Sequence, residues 1–261
     1  MNFYKYQGTG NDFVMIDNRK NVFDKSNLRL IHELCDRKFG IGADGLILIE
    51  NIDGLDFNMI YFNADGSQSF CGNGSRCAVS FASYLGIIGT KAQFLAIDGE
   101  HEAWINEKGE VSLKMHDVED IEKGNDYYFI NTGSPHYIIE VRDVDEMNVC
   151  EIGRKVRNSN RFKDEGTNVN FVHYRPNGLD IRTYERGVED ETLSCGTGVT
   201  AAALSWADAT KSIAGKVTVN TKGGTLQVAY KRTDLGGFND IWLIGPAVQV
   251  FKGQLSPLER G

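Results

Sequence analysis

Cys71-Gly72-Asn73-Gly74 and Cys195-Gly196-Thr197-Gly198 each join a thiol to a glycine-rich turn, and each opens a helical stretch. A cysteine at the N-terminal end of a helix meets unpaired backbone N–H groups and the positive end of the helix dipole. Its thiolate is therefore favoured, and it can act as a base. The same N–H groups can cradle a carboxylate, and glycine, having no Cβ, lets a ligand approach the backbone closely. Two such units facing each other across a domain interface could hold an α-carboxylate from both helix ends. One thiolate would remove the α-proton and the opposite thiol would return a proton to the other face, inverting the stereocentre. Because such a proton is a very weak acid, the developing enediolate must be stabilised electrostatically in a dry, preorganised site, where a single donor is typically worth about 3–4 kcal/mol.

Plainer readings stand beside this one. A lone Cys-Gly-x-Gly is more often a turn with a buried thiol than a catalytic site; the second, symmetric copy changes that balance. Gly8-Thr9-Gly10-Asn11-Asp12-Phe13 has the look of a dinucleotide loop, but Phe13 stands where the third glycine belongs and a strand follows where a helix should. His136, after Gly133-Ser134-Pro135, is either a satisfied structural histidine or a group that tunes a thiol. His32, His101, His116 and His173 read as surface or structural. Taken alone, Glu185-Arg186 is a solvated charge pair. A redox pair of Cys71 and Cys195 would lack a resolving Cys-x-x-Cys, and a simple binding module would need no second thiol.

The elements that position these residues are written twice. Thr9-Gly10-Asn11-Asp12-Phe13-Val14 answers to Thr132-Gly133-Ser134-Pro135-His136-Tyr137 at an offset of 123, as Asp44-Gly45-Leu46-Ile47 answers to Thr167-Asn168-Val169-Asn170. Asn63 falls opposite Glu185 at 122, and the two Cys-Gly-x-Gly turns lie 124 apart. Such matches in one order imply an internal duplication. Alternating apolar patterns predict strands at 3–7, 12–17, 45–50, 57–62, 92–97 and 101–105, then again at 128–131, 136–142, 168–174, 178–184, 216–221, 224–230 and 241–244. Helices are predicted at about 27–38, 75–85, 148–157 and 199–207; the last is apolar nearly all round and belongs inside a sheet. The fold class is α+β: two pseudo-symmetric domains, each a curved, mostly antiparallel sheet or barrel around a central helix. The expected domains are 1–116 plus 247–261, carrying Cys71, and 117–246, carrying Cys195, with the active site between them.

Bulk composition excludes other classes. Across 261 residues, 28 basic side chains against 36 acidic ones give a net charge of -8 with no basic run, which argues against nucleic acid as a partner. No apolar run approaches the roughly 18 residues of a membrane span, and the chain's start shows no signal-peptide pattern, so a cytoplasmic protein is expected. Five cysteines are an odd number, and their spacings match no zinc pattern; no metal is expected.

With these residues in view, the chain resembles the diaminopimelate epimerases over essentially its whole length. The motifs that carry the resemblance are Gly8-Thr9-Gly10-Asn11-Asp12-Phe13, Phe62-Asn63-Ala64-Asp65-Gly66-Ser67, Cys71-Gly72-Asn73-Gly74-Ser75-Arg76-Cys77, Tyr184-Glu185-Arg186-Gly187 and Cys195-Gly196-Thr197-Gly198. The resemblance implies interconversion of LL- and meso-diaminopimelate without pyridoxal phosphate or metal, on the route to lysine and peptidoglycan, by a two-domain enzyme whose C-terminal strand returns to the first domain. It implies Cys71 and Cys195 as the acid/base thiols, with His136 and Glu185 assisting. Gly72, Asn73, Gly196 and Thr197 would hold the reacting carboxylate near Asn11. Asn63, Asn168 and Arg186 would grip the distal carboxylate, and Glu185 the distal ammonium. A homodimer is also suggested, while a related proline or hydroxyproline racemase, or a same-fold isomerase, is the alternative. Three features depart from the pattern: Ser134 for an Asn, Gly45 for a Gln, and a segment between Glu185 and Cys195 one residue longer than the common form.

Overall fold

The computed structural model describes residues 1–255; the last six residues assigned to the first domain lie outside the described residues. The chain divides into two compact units, Met1–Leu113 with the segment from Pro246, and Lys114–Gly245.

The first unit contains β1 (Asn2–Gly8), β2 (Asn11–Asp17), α1 (Leu28–Cys35), β3 (Gly45–Glu50), β4 (Phe57–Asn63), α2 (Gly72–Tyr84), β5 (Lys91–Ala96), β6 (Gly99–Ile105) and β7 (Glu110–Lys114). The second contains β8 (Glu122–Lys123), β9 (Tyr127–Asn131), β10 (Pro135–Glu140), α3 (Val149–Arg157), β11 (Asn168–Arg175), β12 (Gly178–Glu185), β13 (Asp190–Thr192), α4 (Gly196–Ala209), β14 (Ala214–Thr221), β15 (Gly224–Arg232) and β16 (Phe238–Pro246). The final strand, β17 (Val248–Gln254), returns to the first unit and pairs antiparallel with β1.

Each unit repeats one strand plan. In the first, β1–β2, β3–β4, β5–β6 and β6–β7 are antiparallel, while β2–β3 and β4–β5 are parallel. In the second, the antiparallel pairs are β8–β9, β9–β10, β11–β12, β14–β15 and β15–β16, and the parallel ones β10–β11 and β12–β14. Register follows the duplication: Phe13 lies opposite Gly45, and His136, 123 residues on, lies opposite Asn168. Each sheet wraps a helix, since α2 packs against β1, β2, β3, β4, β6 and β17, and α4 against β9, β10, β11, β12, β14 and β15. That enclosure explains why α4 is apolar all round: Val199, Ala201, Ala202, Ala203, Leu204 and Ala207 are all fully buried. The outer helices α1 and α3 cover the other faces, α1 on β3 and α3 on β11, β12 and β13.

Both inner helices begin three residues earlier than the apolar pattern suggests, at Gly72 and Gly196. Low glycine propensity hides the first turn from a pattern reading, yet Cys71 and Cys195 have the extended backbone of N-cap residues. Helix α1 is shorter than predicted. It stops at Cys35 because Asp36 turns extended and its carboxylate accepts the N–H groups of Lys38 and Phe39. Strands β7, β8 and β13 were not evident from alternation over such short spans.

Candidate active site

Cys71 caps α2. Its sulfur accepts the Gly74 N–H at 3.4 Å and lies 3.4 Å from Asn11 Oδ1, which also accepts from Asn73 Nδ2 at 3.4 Å. The Asn11 amide cannot face the other way without loss, because its nitrogen donates to Asp44 Oδ2 at 2.5 Å. Asp44 is in turn gripped by Arg37, which also binds Asp12 through both terminal nitrogens. Burial works to raise the Asp12 pKa, but hydrogen bonds from Arg37 and Lys5 outweigh it and hold the carboxyl down at about 2. A chain of charges on β2 and the β3 entry thus fixes the amide that meets the first thiol.

Arg76 lies behind this thiol, fully buried, and among the described residues no carboxylate stands against it. Its Nη2 donates to Thr9 Oγ1 and Asn73 Oδ1 at 3.3 and 3.0 Å, whereas Nε and Nη1 meet no hydrogen-bond acceptor among the described residues. Burial pulls its pKa down, opposed by neighbouring Cys77 and Cys71. Thr9 adopts a left-handed backbone, φ 50°, at the β1–β2 hairpin, a strained setting for a β-branched residue that the Arg76 contact helps to hold.

The second thiol has different company. Cys195 makes no side-chain cap bond to α4, and its sulfur lies 3.5 Å from Thr197 Oγ1. Thr197 Oγ1 is 2.9 Å from His136 Nε2, and His136 Nδ1 is 3.1 Å from Asn170 Nδ2. His136 is fully enclosed, and desolvation, aided by the Arg186 charge, lowers its pKa to about 3, so its imidazole is neutral. Gly72, Asn73, Gly196 and Thr197 place their N–H groups in the first turns of α2 and α4, the ends at which a helix directs its donors outward.

Asn168, Arg186 and Ser134 form a third cluster. Asn168 accepts the Arg186 backbone N–H at 2.9 Å and donates to Ser134 Oγ at 3.0 Å; Arg186 Nη2 reaches the same oxygen at 3.3 Å. The other arm of the guanidinium donates to the Glu165 carbonyl at 3.0 Å. The short Ser134 side chain is therefore used within the cluster. Glu185, next to it at the end of β12, accepts from Thr192 Oγ1 at 2.8 Å. The lengthened segment forms β13 on β12, pairing Glu185 with Asp190. In the first unit, Asn63 ends β4, accepts from Tyr61 Oη at 2.9 Å and donates to Ser67 and Ser69. Gly45 cannot carry a side chain here, because a Cβ would fall 2.5 Å from the Tyr61 ring.

The structure revises the role of the third residue after each cysteine. A Cβ on Gly198 would sit 2.7 Å from Asn170 Oδ1 and 3.2 Å from the His136 ring, so this glycine admits protein groups rather than a ligand. On Gly74 it would meet Ile47 Cδ1 at 3.1 Å. Asn170 and Arg76 went unrecognised as site residues. The signal for Asn170 was a second asparagine, two residues after Asn168, on the inward face of an apolar strand. His101, by contrast, is structural: it bonds Asp98 at 2.8 Å and stacks on Phe70 and Phe94. Among the described residues no group of three or more His, Cys, Asp or Glu could hold a metal, and no helix is long and apolar enough to cross a membrane.

The fold built from these two units, each a sheet wrapped around a helix, is shared by solved structures. A Bacillus anthracis phenazine biosynthesis protein of the PhzF family matches with a TM-score of 0.78 at 13% identity, covering 98% of this chain and 99% of that one. A probable proline racemase from Agrobacterium radiobacter matches at 0.71 and 14%, covering 99% and 94%. At such identities the likeness is one of fold. The family model described as diaminopimelate epimerase matches residues 3–120 and again 128–248, and the Flavobacterium psychrophilum diaminopimelate epimerase is 51% identical over 254 residues, 97% of this chain and 99% of that protein. The chain belongs to the diaminopimelate epimerase family.

Proposed function

We propose that this protein interconverts LL- and meso-2,6-diaminopimelate in the cytoplasm, serving lysine and peptidoglycan synthesis, as a homodimer that requires no pyridoxal phosphate or metal. The observation that carries the reading is the pair of cysteines at the N-caps of α2 and α4, in a chain 51% identical to a diaminopimelate epimerase.

One thiolate takes the α-proton while the other thiol delivers a proton to the opposite face of the carbon. The helix-start N–H groups of Gly72, Asn73, Gly196 and Thr197 receive the enediolate charge, with Asn11 at the reacting end. Neutral His136 and Glu185 assist proton movement. Arg186, with a forked and permanently charged donor, suits the distal carboxylate together with Asn63 and Asn168, and Glu185 suits the distal ammonium.

The domains assigned from sequence, 1–116 plus 247–261 and 117–246, serve as one thiol-bearing half each. The test is a substrate panel on purified protein: turnover of LL-diaminopimelate, with none of proline or 4-hydroxyproline, supports the reading, and turnover of proline alone overturns it. Size-exclusion chromatography with light scattering checks the dimer, a single-chain mass counting against it.

A further inference from the structure

The two thiols are served by different hydrogen-bond partners, although the surrounding sequence is duplicated. The positions equivalent to His136 and Asn170 at an offset of 123 are Phe13 and Ile47, both apolar, so the first unit has no counterpart of this histidine chain, and its cysteine meets Asn11 instead. That chain runs Thr183–Asn170–His136–Thr197–Cys195, with successive separations of 3.0, 3.1, 2.9 and 3.5 Å.

Its direction follows from the one member whose orientation is forced. Asn170 is fully buried. Its nitrogen faces the Tyr137 carbonyl at 3.4 Å, a group that only accepts, and its oxygen receives the Thr183 hydroxyl at 3.0 Å. Nδ2 therefore also donates to His136 Nδ1, which must be unprotonated. A neutral imidazole whose Nδ1 accepts carries its hydrogen on Nε2, so Nε2–H donates to Thr197 Oγ1. The Thr197 hydroxyl then has its own hydrogen to give, and the Cys195 sulfur lies against it. A donor at a sulfur favours the thiolate.

We infer that Asn170 and Thr183 are positioning residues, which set His136 in its Nε2–H tautomer so that Thr197 donates to the Cys195 sulfur. They touch no reacting atom. Their effect passes through two intermediaries, and the gap that admits them is kept by Gly198. Among the described residues, Arg186 is the charge that acts on His136, Glu185 at the end of β12 is held by Thr192, and the first turn of α4 carries no acidic residue. Asn170→Asp reverses the chain with little change of shape. A carboxylate accepts rather than donates, so Nδ1 takes the hydrogen, Nε2 becomes an acceptor, and Thr197 turns its hydrogen to the imidazole and away from the sulfur.

This inference deepens the proposed function, yet its test reads the thiol and the imidazole without turnover. Cys195 and Cys71 alkylation by iodoacetamide is followed by mass spectrometry across pH, in the wild type, Asn170→Asp and Asn170→Leu. Losing a hydrogen bond to an ionised group should slow Cys195 alkylation at neutral pH by about tenfold or more and move its profile to higher pH, with Cys71 as the unchanged internal reference. Because a variant could fail to fold, nitrogen-15 spectra of the wild-type His136 ring give a second reading: hydrogen on Nε2 supports the inference, and hydrogen on Nδ1 overturns it. Unchanged Cys195 profiles in folded variants overturn it as well.

Discussion

Replacing Gly198 by alanine adds one methyl group to a turn that packs against the polar chain behind Cys195. An ideal Cβ there stands 2.7 Å from Asn170 Oδ1 and 3.2 and 3.3 Å from two atoms of the His136 ring. Both neighbours are fully buried and tied by hydrogen bonds on either side, so neither is the free end of a flexible chain. Overpacking of this kind costs about 1–3 kcal/mol, while alanine's better helix propensity returns at most ~1 kcal/mol. With both neighbours held, the cost lies at the upper end of that range and the net loss is about 2 kcal/mol; for a chain of this length each kcal/mol lowers the melting temperature by roughly 2–4 °C. Gly74→Ala is the control: its Cβ meets Ile47 Cδ1 at 3.1 Å and Met59 Cε at 3.5 Å, both ends of flexible apolar side chains, and Cys71 Cβ at an ordinary contact distance of 3.4 Å. Scanning calorimetry and epimerisation kinetics should show Gly198→Ala less stable and at least about tenfold slower in kcat, with Gly74→Ala close to wild type in both. The reverse order, or a Gly198→Ala protein indistinguishable from wild type, refutes the packing argument.

Acid should weaken the protein in two stages. His136 has an ordinary pKa of 6.5 that falls to about 3 on burial, so its share of stability is present above pH 6.5 and is lost as pH falls toward 3. Melting temperature against pH should decline through this window, and a folded His136→Gln variant should decline less. Asp12, also lowered on folding, contributes stability above its ordinary 3.8 that disappears toward about 2; the low-pH end of the same curve should flatten in Asp12→Asn. Arg76→Lys keeps the buried charge but shortens the side chain that brings one nitrogen, Nη2, to both Thr9 and Asn73. Losing a charged hydrogen bond at about 1.5–3 kcal/mol predicts a lower melting temperature and at least tenfold lower kcat/KM, measured by calorimetry and steady-state kinetics. Arg186→Met should raise KM for diaminopimelate well beyond any change in melting temperature, as expected of a group that grips the distal carboxylate.

Much of this architecture was legible because a duplicated spacing constrains backbone pairing. The 123-residue offset that aligns Asn11-Asp12-Phe13 with Ser134-Pro135-His136 reappears as matched registers, Phe13 against Gly45 and His136 against Asn168. The thiols stood out for the same reason, as two copies of one turn. Other features were hidden. Glycines obscured where α2 and α4 begin, because a cap is defined by backbone angles and hydrogen bonds that propensity does not report. Alternation along β11 puts Asn170 on the inner face but does not say that it meets His136 rather than an apolar neighbour. Glycine beside a cysteine suggested room for a ligand, whereas Gly198 makes room for protein. Ser134 stood out only as a departure from the family pattern, and its hydroxyl joins Asn168 to Arg186.

The central claim is that Cys71 and Cys195 together move the α-proton. Its most direct measurement is the reaction of LL-diaminopimelate in deuterium oxide with wild-type protein, Cys71→Ala and Cys195→Ala, followed by proton NMR and chiral chromatography. The wild type should give α-deuterated meso product without added pyridoxal phosphate, and neither folded variant should epimerise. Epimerisation at the wild-type rate by either one would contradict the claim.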